Sequence, residues 1–257
     1  MALLLKNWRR RACHAAMAAA LLGSLTACGV IEEDITQDWS ADRLYQEARA
    51  AADDSDWTRA QDYYLKLESR FPFGRYAQQA QIESAYAYWR DGEADLCIQA
   101  CDRFLKQYPN HHNSDYVLYL KALATLNQSQ GIFSDWFKQD IAERDAQAAR
   151  NAFDTLKELV QRFPDSRYAH DARRRMHELV LAQARHELRV AHFYYERYAY
   201  VAAIERAQNV IRDFQQTPYS DEALQLIRDC YEALGITDLQ TDMTRIIDMN
   251  QNRERAR

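Results

Sequence analysis

Four helix ends of one kind recur along this chain, and they constrain its fold more than any other feature. They read Arg70-Phe71-Pro72, Gln107-Tyr108-Pro109, Arg162-Phe163-Pro164 and Asp213-Phe214-Gln215. Each is followed by a short polar stretch and a fresh helical pattern beginning near Tyr76, Tyr116, Tyr168 and Tyr219. Proline directly past a helix ends it, because the ring clashes with the preceding turn and supplies no N–H. In the fourth copy Gln215 stands in the proline position, and Pro218 follows three residues later. The four aromatics are spaced by 37, 55 and 51 residues.

Small residues keep the same frame. Twelve residues before the proline position stand Ala60, Cys97, Ala152 and Ala203; twenty-four before it stand Ala48, Ala85 and Ala191. Small side chains there let the two helices of a hairpin approach closely. Tyr88 and Tyr194 follow three later, and Gly92 marks a turn. The first spacing is close to the ~34-residue tetratricopeptide period. The second holds an insertion, 128–145, which displaces the third copy's first helix, and the third holds a lengthened helix.

Six glycines and four prolines among 257 residues, with abundant Ala, Gln, Arg, Glu and Leu, suit helices. No alternating run demands a strand. The reading is all-α: a tetratricopeptide-like α-solenoid of about five helical hairpins. Expected helices are 41–54 with 57–70, 75–91 with 93–107, 114–127 with 146–162, 166–197 with 200–213, and 220–234 with 237–250. Asn113, Asp165 or Ser166, and Ser220 are candidate N-caps. Repeats 1–2 occupy 40–110, repeats 3–5 occupy 111–251, and 252–257 form a tail.

The N-terminus carries a different signal. Lys6, Arg9, Arg10 and Arg11 precede a largely Ala and Leu stretch from Ala12 to Leu25. That stretch is shorter than the ~20 residues a membrane-spanning helix needs. A charged start, a short apolar run and small residues before a cut describe a signal peptide, 1–27. Leu25-Thr26-Ala27-Cys28 resembles a lipobox, which makes Cys28 the expected lipidation site, carrying S-diacylglycerol and an N-acyl group. Several acyl chains anchor stably where one does not. Gly29, rather than Asp, follows that cysteine; the resemblance to lipoproteins then implies the outer membrane, on its periplasmic face. Residues 28–39 read as a flexible tether that reaches at most ~40 Å. Cleavage takes the formal charge from −5 to −9, which argues against nucleic acid as a partner, since phosphate binding draws on Lys and Arg.

Reaction chemistry is hard to find in the chain. No nucleophile elbow, phosphate-cradling loop or zinc-protease helix motif occurs, so the expectation is a non-enzyme without cofactor or metal. A helical hydrolase would require a convergent polar pocket that no motif announces. Cys97 and Cys101 share a helix face and read as buried small side chains rather than metal ligands, with His111-His112 nearby. Aromatics carry more information: Phe71, Phe73, Tyr76, Tyr86, Tyr88 and Trp89 cluster around the first repeat end. Such residues either fill the core or line a groove for an extended peptide. Ile132, Phe133, Trp136 and Phe137 crowd the insertion, either packed back on the array or forming a partner contact.

The lipobox and the ordered repeat together resemble the BamD family. The resemblance rests on Arg70-Phe71-Pro72-Phe73-Gly74 with Tyr76, Gln78-Gln79, Tyr86-Ala87-Tyr88 and Asp102-Arg103-Phe104. It continues through Asp115-Tyr116-Val117 with Tyr119, the run Leu159 to Tyr168, and Tyr194-Tyr195-Glu196-Arg197. The tether lacks the family's frequent prolines, and the insertion looks longer than usual. The resemblance implies an adaptor of the β-barrel assembly (Bam) complex. Its implied partners are a BamA-type barrel through a POTRA domain, other Bam lipoproteins, and unfolded outer-membrane proteins. It places Arg206 where the family meets BamA, and Phe71, Phe73 and Tyr76 at a substrate groove. The alternative is another periplasmic tetratricopeptide lipoprotein serving envelope or cell-division coordination.

Overall fold

The computed structural model describes residues 34–128 and 138–255. The signal peptide 1–27, Cys28 and the insertion aromatics Ile132, Phe133, Trp136 and Phe137 lie outside the described residues. Among those described, ten helices follow one another and no strand occurs. They are α1 Ala41–Asp53, α2 Trp57–Arg70, α3 Arg75–Arg90, α4 Ala94–Gln107, α5 Ser114–Gln128, α6 Lys138–Arg162, α7 Ala169–Tyr195, α8 Tyr200–Asp213, α9 Tyr219–Ala233 and α10 Thr237–Arg255.

Three boundaries differ from expectation by three residues or more. Helix α6 starts at Lys138 rather than 146, because the run from Ile141 to Ala149 is rich in good helix formers. Helix α7 starts at Ala169 rather than 166; the amide of Ser166 bonds Phe163 O at 3.1 Å and that of Ala169 bonds Ser166 O at 2.9 Å, forming turns first. Helix α10 runs on to Arg255, through most of the expected tail, since neither Gly nor Pro interrupts it. Of the described residues, 34–40 belong to one unit and those from Ala41 onward to another. In the first, within the expected tether, the Asp34 carboxylate accepts the Thr36 amide at 3.0 Å and its hydroxyl at 2.6 Å, an Asx-type turn.

Every repeat end closes in the same way. The amides of Phe71, Tyr108, Phe163 and Phe214 donate to the carbonyl four residues back, at 2.8–2.9 Å. Phe71, Tyr108 and Phe214 sit at φ −128°, −131° and −131° with ψ of 61°, 63° and 38°, outside the helical region that a following proline disfavours. Phe214 keeps this geometry with Gln215 after it, so the bend does not depend on proline there. Ser220 is not an N-cap: Pro218 holds that position, and the Ser220 hydroxyl donates to Phe214 O at 2.9 Å. Asn113 directly precedes α5, and its carbonyl accepts the Val117 amide at 3.1 Å.

Turns inside the hairpins are equally regular. Ser55, Gly92, Tyr198 and Gly235 have φ of 61°, 85°, 60° and 70°. The next amide in each case, from Asp56, Glu93, Ala199 or Ile236, reaches five residues back, the Schellman pattern that satisfies a helix's last carbonyls.

Each helix packs on its chain neighbours, and α1 also meets α3, α3 meets α5 and α7 meets α9. The first helices of successive hairpins thus form an inner row. The small residues of the repeat frame are the contact points: Ala48, Ala60, Cys97, Ala152, Ala191 and Ala203 are each fully buried. The third copy, which lacks a small residue twenty-four before its proline, buries Ala122 and Ala124 of α5 instead. Apolar burial is strung along the array in successive clusters rather than gathered at one centre. Helix α7 serves two of them. Ala169 and Ala172 join Leu118, Leu156 and Leu159, whereas Leu188 and Ala191 join Ala203, Ala207 and Ile227. At 3.6 residues per turn, Ala172 and Leu188 lie about 160° apart around the helix, so the buried face rotates along it.

Candidate functional site

The inner row carries a cavity of about 820 Å³. Helix α1 contributes Arg49 and Asp53, α2 Trp57 and Tyr64, and α3 Glu83, Tyr86 and Arg90. The far wall comes from the start of α5, with Asp115 and Tyr116, and from Arg167 and Tyr168 before α7. The inner helices face it because their small residues bring successive hairpins close, leaving the larger side chains one turn away to project into the space.

Glu83 organises one side. Its Oε1 accepts the Tyr45 phenol at 2.8 Å and the Gln79 amide at 2.8 Å, and Arg49 approaches to 3.4 Å. Its Oε2 accepts the Tyr64 phenol at 2.5 Å. Burial, with the Glu83 carboxylate as second cause, pushes the Tyr64 and Tyr45 phenols upward. Burial also raises Tyr116. Tyr45 and Tyr64 stay protonated donors to Glu83 and act as fixed hydrogen-bond struts.

The aromatics form stacked edges. Trp57 meets Tyr86 edge-on at 5.9 Å, and the Arg90 guanidinium lies 4.5 Å from the Trp57 ring centre while donating to the Tyr86 hydroxyl at 2.8 Å. Across the cavity Tyr168 stacks on Tyr119 at 4.9 Å and lies 5.6 Å from Tyr116. Arg167 covers the Tyr168 ring at 4.7 Å. Flat rings with amide and guanidinium donors between them suit an extended peptide, whose apolar side chains lie on the rings and whose backbone meets the polar groups.

The groove residues expected from sequence lie beside this cavity rather than in its lining. Tyr76 packs on Tyr45 at 5.4 Å and donates to Asp42 at 2.7 Å. Phe71 is half-buried at the close of α2, and Phe73 is 92% exposed. Arg206, on α8, pairs with Glu187 of α7 at 3.3 Å, well along the array from the cavity. Cys97 and Cys101 are fully buried, and the hydrogen bond that the Cys101 thiol makes to Cys97, then burial, pushes that thiol well up. His111 sits edge-on to Phe104 at 5.1 Å, its imidazole pushed down by burial and then by His112.

Sequence reasoning missed Glu83, Arg90 and Trp57. A signal existed for Glu83: it is an acid lodged between the buried Ala80 and Ala87 on one helix face. Trp57 and Arg90 meet only because α2 folds against α3, which no local pattern encodes.

The chain matches the family model described as "YfiO: Outer membrane lipoprotein" over residues 37–246, a span that includes the cavity and Arg206. Among solved structures, the MamA protein aligns over 84% of this chain and 94% of its own, at 14% identity and a TM-score of 0.36, too low to argue from. Curated relatives are nearer. The outer membrane protein assembly factor BamD of Neisseria meningitidis serogroup A is 43% identical, covering 88% of this chain and 87% of that protein. The BamD of Vibrio cholerae is 34% identical over 84% of this chain and 90% of that protein. The BamD of Haemophilus influenzae is 31% identical over 93% and 89%. An inner row of helices carrying an aromatic cavity, continuous with sequence identity across nearly all the repeats, leaves one conclusion: the chain belongs to the BamD family of outer membrane lipoproteins.

Proposed function

We infer that the protein is a non-catalytic assembly factor for outer-membrane proteins, an adaptor of the Bam complex held to the membrane by lipid on Cys28. The observation that carries this is the aromatic cavity over α1, α2, α3 and the start of α5, in a chain whose relatives are named BamD. An extended segment of an unfolded outer-membrane protein fits that chemistry, with Phe73 and Tyr76 available at its edge. The second half would meet a BamA-type partner through its POTRA domain, with Arg206 exchanging Glu187 for an acid on the partner. Other Bam lipoproteins would join the same array. A role in envelope or cell-division coordination is less favoured, because the relatives at this identity share one name.

Affinity purification from outer-membrane extracts tests the adaptor reading. Recovery of a BamA-type barrel is the expected result, and its absence sinks the reading. A fluorescent peptide copying the last strand of an outer-membrane barrel tests the cavity. Trp57→Ala and Tyr86→Ala should each weaken it by about tenfold, since ring stacking contributes on the order of 1 kcal/mol or more when desolvated; unchanged affinity for both would remove the cavity from the role.

A further inference from the structure

Helix α7 carries a cationic ridge that neither the cavity nor the Arg206 pair uses. Arg185, Arg189 and Phe193 follow at four-residue intervals, hence along one side of α7 in steps of about 6 Å, and Arg197 stands in the turn just past its end. All four are exposed. Among the described residues none of the three arginines has a carboxylate partner. Arg185 instead lies over the Tyr219 ring at 5.7 Å and donates to its hydroxyl at 2.7 Å. Arg197 lies over the Phe193 ring at 3.5 Å and donates to Phe193 O at 3.3 Å. Glu187, two residues from both Arg185 and Arg189 and so on the far side of the helix, is turned to Arg206; Glu196 is exposed beside Arg197.

At its end the ridge becomes apolar. Phe193, Tyr198 and Val201 are 48%, 80% and 71% exposed. Tyr198 occupies the left-handed turn position that glycine fills in two sister hairpins. A bulky residue there costs free energy, yet its ring is given to solvent rather than to the core. Guanidiniums held on ring faces keep N–H edges free for phosphate, and an aromatic tip beside them has the composition of segments that settle at a bilayer interface.

We propose that the ridge Arg185–Arg189–Phe193–Arg197, with Tyr198 and Val201 at its tip, rests on an anionic phospholipid surface. The chain as a whole carries net charge −5, so an anionic membrane repels most of its surface; this ridge is a local reversal of that field. A bilayer is also the surface that outer membrane lipoproteins live beside. The contact need only be weak, because an anchor already supplies a high effective concentration. It orients the array rather than tethering it.

The test uses the mature chain with Cys28→Ala, so that no acyl group contributes, and co-flotation with vesicles. Vesicles of phosphatidylethanolamine with phosphatidylglycerol should bind it, phosphatidylcholine vesicles should not, and salt should weaken binding. Each arginine near an anionic surface is worth about fivefold, so Arg189→Gln, at an exposed position of the ridge, should lose about that much. The triple Arg185→Gln, Arg189→Gln, Arg197→Gln variant should lose more than tenfold, and Tyr198→Ser should weaken binding further. Arg245→Gln, remote and paired with Asp242 at 3.1 Å, should leave it unchanged. Equal binding to both vesicle types, or no loss in Arg189→Gln and the triple variant, overturns the proposal. So does a triple variant that binds vesicles normally but recovers less of a protein partner from membrane extracts, which would make the ridge a protein interface. Loss of the BamA-type partner in the purification above would leave these vesicle results untouched.

Discussion

Tyr64 donates its phenolic proton to Glu83 Oε2 at 2.5 Å, joining α2 to α3 across the boundary between the first two hairpins. Tyr64 is 1% exposed, so without Glu83 its hydroxyl would be stranded away from water. Glu83→Ala should therefore destabilise the protein by about 2 kcal/mol, the cost of leaving a buried donor unpaired, with Glu83→Gln less harmful. Urea unfolding of both variants checks this; an unchanged midpoint for Glu83→Ala would show that the strut carries no stability.

Asp171 gives a pH dependence with a definite sign. Burial raises its pKa, but hydrogen bonds from Arg174, Tyr119 and Arg175 outweigh that and hold the carboxyl well below the usual range. A group depressed in the folded state contributes stability above its unfolded pKa, about 3.9, and loses it as pH falls below that value. The stability gap between the wild type and Asp171→Asn should be present at neutral pH and shrink below about pH 4. A gap that stays constant down to pH 3 would contradict the assignment.

Tyr198→Gly should stabilise the fourth hairpin. Its φ of 60° is costly for a residue with a Cβ, by about 1 kcal/mol, and glycine relieves it. The gain in chain entropy on unfolding offsets a part. A raised melting temperature is expected, and a fall of several degrees would mean that the ring's contact with Tyr200, edge-on at 6.2 Å, matters more than the strain.

Ala203→Leu probes the closest approach of α7 and α8. Ala203 is fully buried against Ala191 and Leu188 in one cluster, and there is no room for a branched side chain. Overpacking typically costs about 1–3 kcal/mol. Cys97→Ala, at the same place in the second repeat, should cost less than Ala203→Leu, because it adds no volume. Denaturant midpoints rank the two, and the reverse order would undo the shared-frame argument.

Arg206→Glu should leave the fold stable and reduce recovery of a BamA-type barrel. The Arg206–Glu187 pair is partly exposed, so its loss contributes little to stability. Unchanged recovery would take Arg206 off the partner surface.

Much of this architecture is local in origin and was legible before folding. Aromatic-proline ends stop helices wherever they occur, and the small residues twelve and twenty-four positions upstream are small because two backbones must pass there. Ala48, Ala60, Ala152 and Ala203 were therefore readable one by one. Helix α7 was readable as long, but not as a helix that turns its buried face through half a revolution, since its sequence meets two different neighbours. The αL position also hid itself: Gly92 and Gly235 announce it, whereas Ser55 and Tyr198 do not.

The repeated helix ends by themselves determined that the chain is a row of hairpins, because chain termination and close helix approach depend on residues within one turn of each other. Tertiary structure alone decided what the row does with its surface. Trp57 and Arg90 come from different helices of different hairpins, Tyr116 and Tyr168 from different repeats, and Glu83 draws phenols from α1 and α2. A cavity is made by side chains that are distant in sequence, and their meeting is set by how each hairpin rotates on the next. The lateral packing of α1 on α3 and of α3 on α5 sets that rotation, and no spacing within a single repeat records it.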